Sequence, residues 1–122
     1  MNLECSSKGD KRFSAMYARI ELCGRWDTIE SHYQLAKRFG TSPPPTHWKQ
    51  CKGRRPTHFV WNGINLPLTK LTDFYNYLWS LYLDANPHLV GYLTQFSSFT
   101  DCFARSGCNN QAKAIQLYMD KL

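Results

Sequence analysis

The chain predicts an α+β fold, a single small domain of three or four helices with a small sheet or hairpins, and three observations carry that expectation. From Leu71, apolar residues recur as Leu71, Phe74, Tyr75, Leu78, Leu81 and Tyr82, the 3.6-residue period of a buried helix. Upstream, His58-Phe-Val-Trp61 and Ile64-Asn-Leu66 flank Asn62-Gly63, the dipeptide best suited to a tight β-hairpin turn. With 122 residues, no internal repeat and no long linker, residues 1–122 fit one domain with a modest core.

The elements follow in order. Residues 1–10 are polar and are expected to be loose. Phe13 to Cys23 mixes apolar and polar positions, which predicts a partly extended segment with a short strand near residues 19–22. Gly24 permits a turn. Asp27 with Glu30 three residues on resembles a capping box, so a helix is predicted from residue 27 to about 39, stopped by Gly40. Thr41-Ser-Pro-Pro-Pro-Thr46 is a stiff loop, since consecutive prolines exclude a helix interior. The helix beginning near Thr69 ends near Ala85, and Asn86-Pro87 restarts a shorter one with Asn as cap and Pro in its first turn. Residues 96–105 fit no single pattern. Gly107-Cys-Asn-Asn110 reads as a turn before a terminal helix over residues 111–121.

Composition excludes several classes. Hydrophobic residues make up 43% and aromatic residues 15%, which is too apolar for a disordered chain. No apolar run approaches the ~20 residues of a membrane span, and the first ten residues lack a signal-like stretch, so a cytoplasmic location is expected. Five cysteines form no CxxC pair, and the four histidines show no ligand spacing, so neither a disulfide framework nor a metal site is expected. No Gly-rich phosphate loop or dinucleotide fingerprint is present, and no cofactor is expected. The net charge of +6 is uneven. Residues 1–55 hold eleven Lys/Arg against five Asp/Glu, a surplus of six, whereas residues 56–122 hold four of each. A localised anion-attracting surface follows.

Three groups of residues could carry chemistry. Glu30, Gln34 and Lys37 stand at i, i+4 and i+7, so on a continuous helix a carboxylate, an amide and an amine lie nearly one above another. Such a stripe is either a solvated ladder or one wall of a polar pocket. In a pocket, the carboxylate suits an oxocarbenium-like centre at a sugar carbon, and a partly desolvated lysine suits attack on an aldehyde. Lys49, Lys52, Arg54 and Arg55 around His47 and Trp48 have the look of single-strand nucleic-acid binding, or of a solvated basic loop. Lys11, Arg12 and Arg19 bracket Phe13-Ser-Ala-Met-Tyr17 and could grip a pyrophosphate. Asn109 and Asn110 precede the last helix and read as caps that could also face an anionic ligand.

Taken in order, these pieces resemble the NADAR family, the YbiA-like fold associated with NAD and ADP-ribose metabolism. Phe13-Ser-Ala-Met-Tyr17 is similar to its F-S-N-F-Y opening, and Thr28-Ile-Glu-Ser-His-Tyr-Gln-Leu-Ala-Lys37 to its V-E-H-x-Y-Q-A-x-K helix. Tyr82-Leu-Asp-Ala-Asn-Pro-His-Leu89 resembles the K-F-x-Q-N-P-x-L segment. Asp101, Gly107-Cys-Asn-Asn110 and Leu117-Tyr-Met119 resemble the closing D…G-x-N…L-M pattern. The chain departs from the family at Ala15, where Asn is usual, and at Cys102 and Phe103, where Trp-Gly is usual. The Gly after Asn110 and the final Arg are replaced, and the proline loop with its following hairpin is unlike the family. The resemblance implies binding of an ADP-ribose-type nucleotide and cleavage of an N-glycosidic bond, including removal of ADP-ribose from guanine bases. It implies Glu30 as the catalytic carboxylate and Lys37 as the amine near the ribose. It further implies Tyr33 and Gln34 as pocket-shaping residues, Asp101 and Asn110 on the opposite wall, and Arg12, Ser14, Tyr17 and Arg19 as further ligand contacts. Three functions stay open on sequence: an N-glycosidase acting on an ADP-ribosylated base, a binding module that sequesters such a nucleotide, and a nucleic-acid binder using Trp48, Lys52, Arg54 and Arg55.

Overall fold

Leu71–Ala85 forms α2, around which the other elements pack in the computed structural model, which describes residues 1–104 and 109–122. Its apolar period buries Phe74, Tyr75, Leu78, Trp79, Tyr82 and Leu83 along one side. Phe74, Leu78, Trp79 and Leu83 are almost wholly withdrawn from solvent. Each such side chain contributes about 1.5–3 kcal/mol through removal of its apolar surface from water. Against α2 lie α1 (Ile29–Leu35), α3 (Pro87–Leu93) and α4 (Gln111–Asp120). The fold is the expected α+β arrangement, with four helices and small sheets among the described residues.

Among the described residues the strands form three separate small sheets. Arg19–Leu22 (β2) and Arg25–Thr28 (β3) pair as a hairpin across Cys23 and Gly24, both at positive φ. Lys37–Arg38 (β4), His58–Trp61 (β5) and Ile64–Leu66 (β6) form an antiparallel sheet. Asn62 and Gly63 turn the β5–β6 hairpin with φ of 52° and 74°, as the dipeptide predicts. Asn2–Glu4 (β1) runs parallel to Ser98–Thr100 (β7).

Three expectations are corrected and one open segment is assigned, four points in all. Residues 2–4 are not a loose end but pair with β7, and Leu3 and Cys5 enter the core. The unassigned segment 96–105 contains that partner strand. Asn86 stands before α3, but its side-chain amide donates to the Tyr82 carbonyl at 2.7 Å, closing α2 instead of capping α3.

The third correction bears on the site. The helix expected over 27–39 spans only Ile29–Leu35. Its cap is Thr28, whose hydroxyl accepts from the Ser31 amide at 3.1 Å. Asp27 belongs to β3 and accepts from the Thr28 amide and the Ser31 hydroxyl. The other early amides are also satisfied, Ile29 by the Ala18 carbonyl at 2.9 Å and Glu30 by the Ala15 carbonyl at 3.0 Å. At the far end the Ala36 carbonyl accepts from the Val60 amide, and Lys37 pairs with Phe59, so the backbone leaves the helix for β4. Gly40 has the left-handed φ of 60° but follows a strand. Of the turn expected at 107–110, Gly107 and Cys108 lie outside the described residues.

Candidate active site

Because the amides at the start of α1 already have partners, the Glu30 side chain has no capping duty. Its Oε1 accepts from Gln34 Nε2 at 2.9 Å, one helical turn on. Lys37, although on β4, reaches the same region, where its ammonium lies 4.7 Å from the centre of the Tyr33 ring. Glu30, Gln34 and Lys37 are half-buried. They are not a solvated ladder, because together they line a cleft of about 420 Å³. That size falls in the range of small-molecule sites.

The opposite wall comes from Leu68, from Leu71, Thr72 and Tyr75 at the start of α2, and from Asn109. Tyr33 meets Tyr75 edge to face, with centroids 5.0 Å apart. Asn109 fixes the rim, because its Nδ2 donates to the Tyr33 hydroxyl at 3.0 Å while its Oδ1 accepts from Thr72 Oγ1 at 2.8 Å. Burial pushes the Tyr75 phenol well above its ordinary pKa, and the charges of Glu30 and Asp101 add to the rise. Tyr75 is therefore a neutral hydroxyl at physiological pH.

Glu30, Gln34 and Lys37 also line a second hollow of about 340 Å³, with Trp48, Cys51, Lys52, Gly53 and Arg54. The three side chains thus form a ridge between two adjoining concavities. Trp48–Cys51 is a 3₁₀ turn held to the back of α1, where the Cys51 thiol donates to the Gln34 carbonyl at 3.3 Å. Burial raises the pKa of that thiol while Lys37, Arg54 and Arg38 pull it down, which places these cations around the turn.

The other expected contacts lie apart from both concavities. Arg12 is held by Asp10 through two hydrogen bonds of 3.0 and 2.7 Å, and its guanidinium lies 4.5 Å from the Tyr92 ring. Ser14 is buried and its hydroxyl accepts from the Met16 amide. Tyr17 is half exposed, with the Lys11 ammonium over its ring, and Arg19 donates to the Trp26 carbonyl. Arg55 is exposed and lines neither hollow. Asn110 caps α4, its Oδ1 accepting from the Lys113 amide at 2.9 Å, and its neighbour Asn109 is the cleft residue.

Asp101 supports the site from behind. Its Oδ2 accepts from Gln111 Nε2 at 2.8 Å, and Gln111 Oε1 accepts from the Ala15 amide at 2.7 Å. The Ala15 carbonyl in turn receives the Glu30 amide, so a relay of hydrogen bonds joins the start of α4 to the ridge. Asp101, Glu4 and Cys102 also bring one potential metal-ligand atom each within 4.8 Å of one another. The oxygens of both carboxylates are already engaged as hydrogen-bond acceptors.

The ridge was legible in the sequence, whereas Thr72 and Tyr75 were not singled out as cleft residues. Asn109 was legible as a cap that could also face a ligand, and Tyr75 only as one member of the core stripe of α2.

The α+β fold is the one that the NADAR resemblance implies, and of the residues it names, Glu30, Tyr33, Gln34 and Lys37 share the cleft. The family profile described as DarT1-associated NADAR antitoxin matches residues 2–120, and the chain belongs to that family. No curated protein sequence matches the chain.

Proposed function

We propose that this protein removes ADP-ribose from a DNA base by hydrolysing the N-glycosidic bond, with Glu30 as the catalytic carboxylate and Lys37 as the amine near the ribose. The observation that carries the reading is that Glu30 and Lys37 line one cleft, opposite Tyr75 and Asn109. The family's description supports it, since its members are antitoxins paired with DarT1, an ADP-ribosyltransferase. An enzyme that reverses such a transfer must break the bond between the ribose anomeric carbon and the base.

As that bond lengthens, positive charge grows on the anomeric carbon and ring oxygen. The Glu30 carboxylate stabilises this charge and accepts a proton from the attacking water. The hydroxyl joins the anomeric carbon as the C–N bond breaks, the leaving nitrogen takes a proton from solvent, and Glu30 returns to its carboxylate by giving the water proton back to solvent. Gln34 holds Glu30 in place through its amide, so the carboxylate needs no reorientation during reaction. Lys37, in its neutral form, can add to the aldehyde of the ring-opened ribose, and loss of water from that adduct gives an imine.

Glu30→Gln is expected to lower turnover of an ADP-ribosylated oligonucleotide by about 10²–10⁴-fold, the range for loss of a general acid–base group. Borohydride is expected to fix ligand covalently on wild-type protein and not on Lys37→Ala. Unaltered turnover in both variants would sink the proposal. Stoichiometric capture with recovery of intact substrate would replace catalysis with sequestration, a reading favoured by Cys102 and Phe103 at the departed family positions.

A further inference from the structure

The ridge of Glu30, Gln34 and Lys37 separates two hollows, and the proposed reaction needs only one of them for ADP-ribose. We infer that the second hollow receives the DNA strand, with a base neighbouring the modified one stacked on Trp48 and backbone phosphates on Lys52 and Arg54. This inference rests on the proposed hydrolase reading and assigns the two halves of its substrate to the two sides of the ridge.

The geometry supports it first. A substrate made of two parts joined by one scissile bond fits two concavities that meet at the catalytic groups, and both hollows are lined by Glu30 and Lys37. Charge comes next. Among the described residues that line the tyrosine-lined cleft Lys37 is the one cation, whereas those of the second hollow include Lys37, Lys52 and Arg54. The positive track continues past the hollow, because Lys49 and Arg55 stand exposed on the same loop. A single pyrophosphate would be served within the hollow, while a chain of phosphates uses the extension as well.

The loop is also ordered for binding. Cys51 ties it to α1, and the Arg54 guanidinium lies 3.9 Å from the centre of the Phe39 ring. Gln50 clasps Thr46 through two hydrogen bonds of 2.9 and 3.1 Å. Trp48 is half-buried, with His47 stacked against it at 5.8 Å and an interplanar angle of 25°. An aromatic ring beside a line of cations is the platform that single strands use, because every base offers a face for stacking. A duplex keeps its bases stacked internally and has none to offer, so the inference is specific to single-stranded DNA.

The test compares wild-type protein with Trp48→Ala and with Lys52→Ala/Arg54→Ala, the latter altering two exposed side chains. Binding of an unmodified single-stranded oligonucleotide is followed by fluorescence anisotropy across a salt series. The double variant is expected to bind at least tenfold more weakly and to lose about 0.7 from the log–log salt slope per cation removed. With ADP-ribosylated substrates, KM for the oligonucleotide is expected to rise at least tenfold with kcat retained, and the loss to be confined to the oligonucleotide relative to the ADP-ribosylated mononucleotide. An equal loss on the mononucleotide, or weakened binding of ADP-ribose itself, would mean that the hollow holds the pyrophosphate and would overturn the inference. Unchanged oligonucleotide binding in both variants, or tighter wild-type binding to duplex, would also overturn it. Absence of turnover in wild-type protein would remove the hydrolase reading alone, and the anisotropy series would still decide the DNA site.

Discussion

Two adjacent asparagines show how one residue type takes different work from its surroundings. Asn110 spends its side-chain oxygen on the Lys113 amide, whereas Asn109 links Tyr33 to Thr72 across the mouth of the cleft. Asn110→Ala is therefore expected to lower stability by about 1 kcal/mol, the usual value of a helix cap, read as a shifted urea midpoint. Asn109→Ala is expected to weaken binding of ADP-ribose by calorimetry while moving the midpoint less. Matching affinities in the two variants would refute this division. Glu30, Gln34 and Lys37 were legible as candidates because their chemistry and spacing are local. Asn109 was legible as a possible ligand contact, but its link between Tyr33 and Thr72 was not, because those partners lie 76 and 37 residues away in sequence.

The elements divide along the same line. Helices α2, α3 and α4 and the Asn62-Gly63 hairpin were legible, since a sustained 3.6 period and a turn dipeptide are written in contiguous residues. The end of α1 was not, because it is set by the pairing of Lys37 with Phe59 on β5. Lys37 reached the expected cleft by a different backbone route, carried on a strand that approaches the ridge from the edge of a sheet. Turn chemistry also predicts opposite effects for one substitution at two glycines. Gly63 has φ of 74°, so Gly63→Ala is expected to cost about 1–2 kcal/mol through the left-handed strain of a Cβ. Gly91 lies inside α3 with open space where a Cβ would sit, so Gly91→Ala is expected to stabilise by about 0.5–1 kcal/mol. Thermal unfolding of both variants checks the pair, and midpoint shifts of the same sign would contradict it.

For the whole molecule, acid sensitivity is expected in two separate ranges. His32 joins α1 to β2 through its Nε2 and the Ile20 carbonyl at 3.1 Å, and burial lowers its pKa below the ordinary 6.5. The folded state resists protonation there, so this stability is full above about pH 6.5 and is lost as pH falls towards the lowered folded value. Glu4 and Asp27 titrate lower. Burial acts to raise their pKa values, but hydrogen bonds outweigh it, from Ser6, Cys102 and Thr100 to Glu4, and from Ser31, Thr28 and Arg25 to Asp27. Asp10 is lowered chiefly by Arg12. The stability from these carboxylates is present above their ordinary values of 3.8 to 4.5 and is lost as pH falls below them. Urea midpoints across pH 7 to 5 are expected to fall for wild type and to flatten for His32→Gln, and an unchanged slope in the variant would contradict the assignment. Among the described residues, no helix is long and apolar enough to cross a membrane.

The pairing of β1 with β7 has a consequence for how the protein is made. Asn2 aligns with Ser98 and Glu4 with Thr100, so β1 has no strand neighbour until a segment 96 residues further along the chain has been made. On the ribosome Leu3 and Cys5 stay outside any finished interior until residue 100 has emerged, a closure of high contact order. A product that stops before β7 therefore leaves β1 without its strand partner.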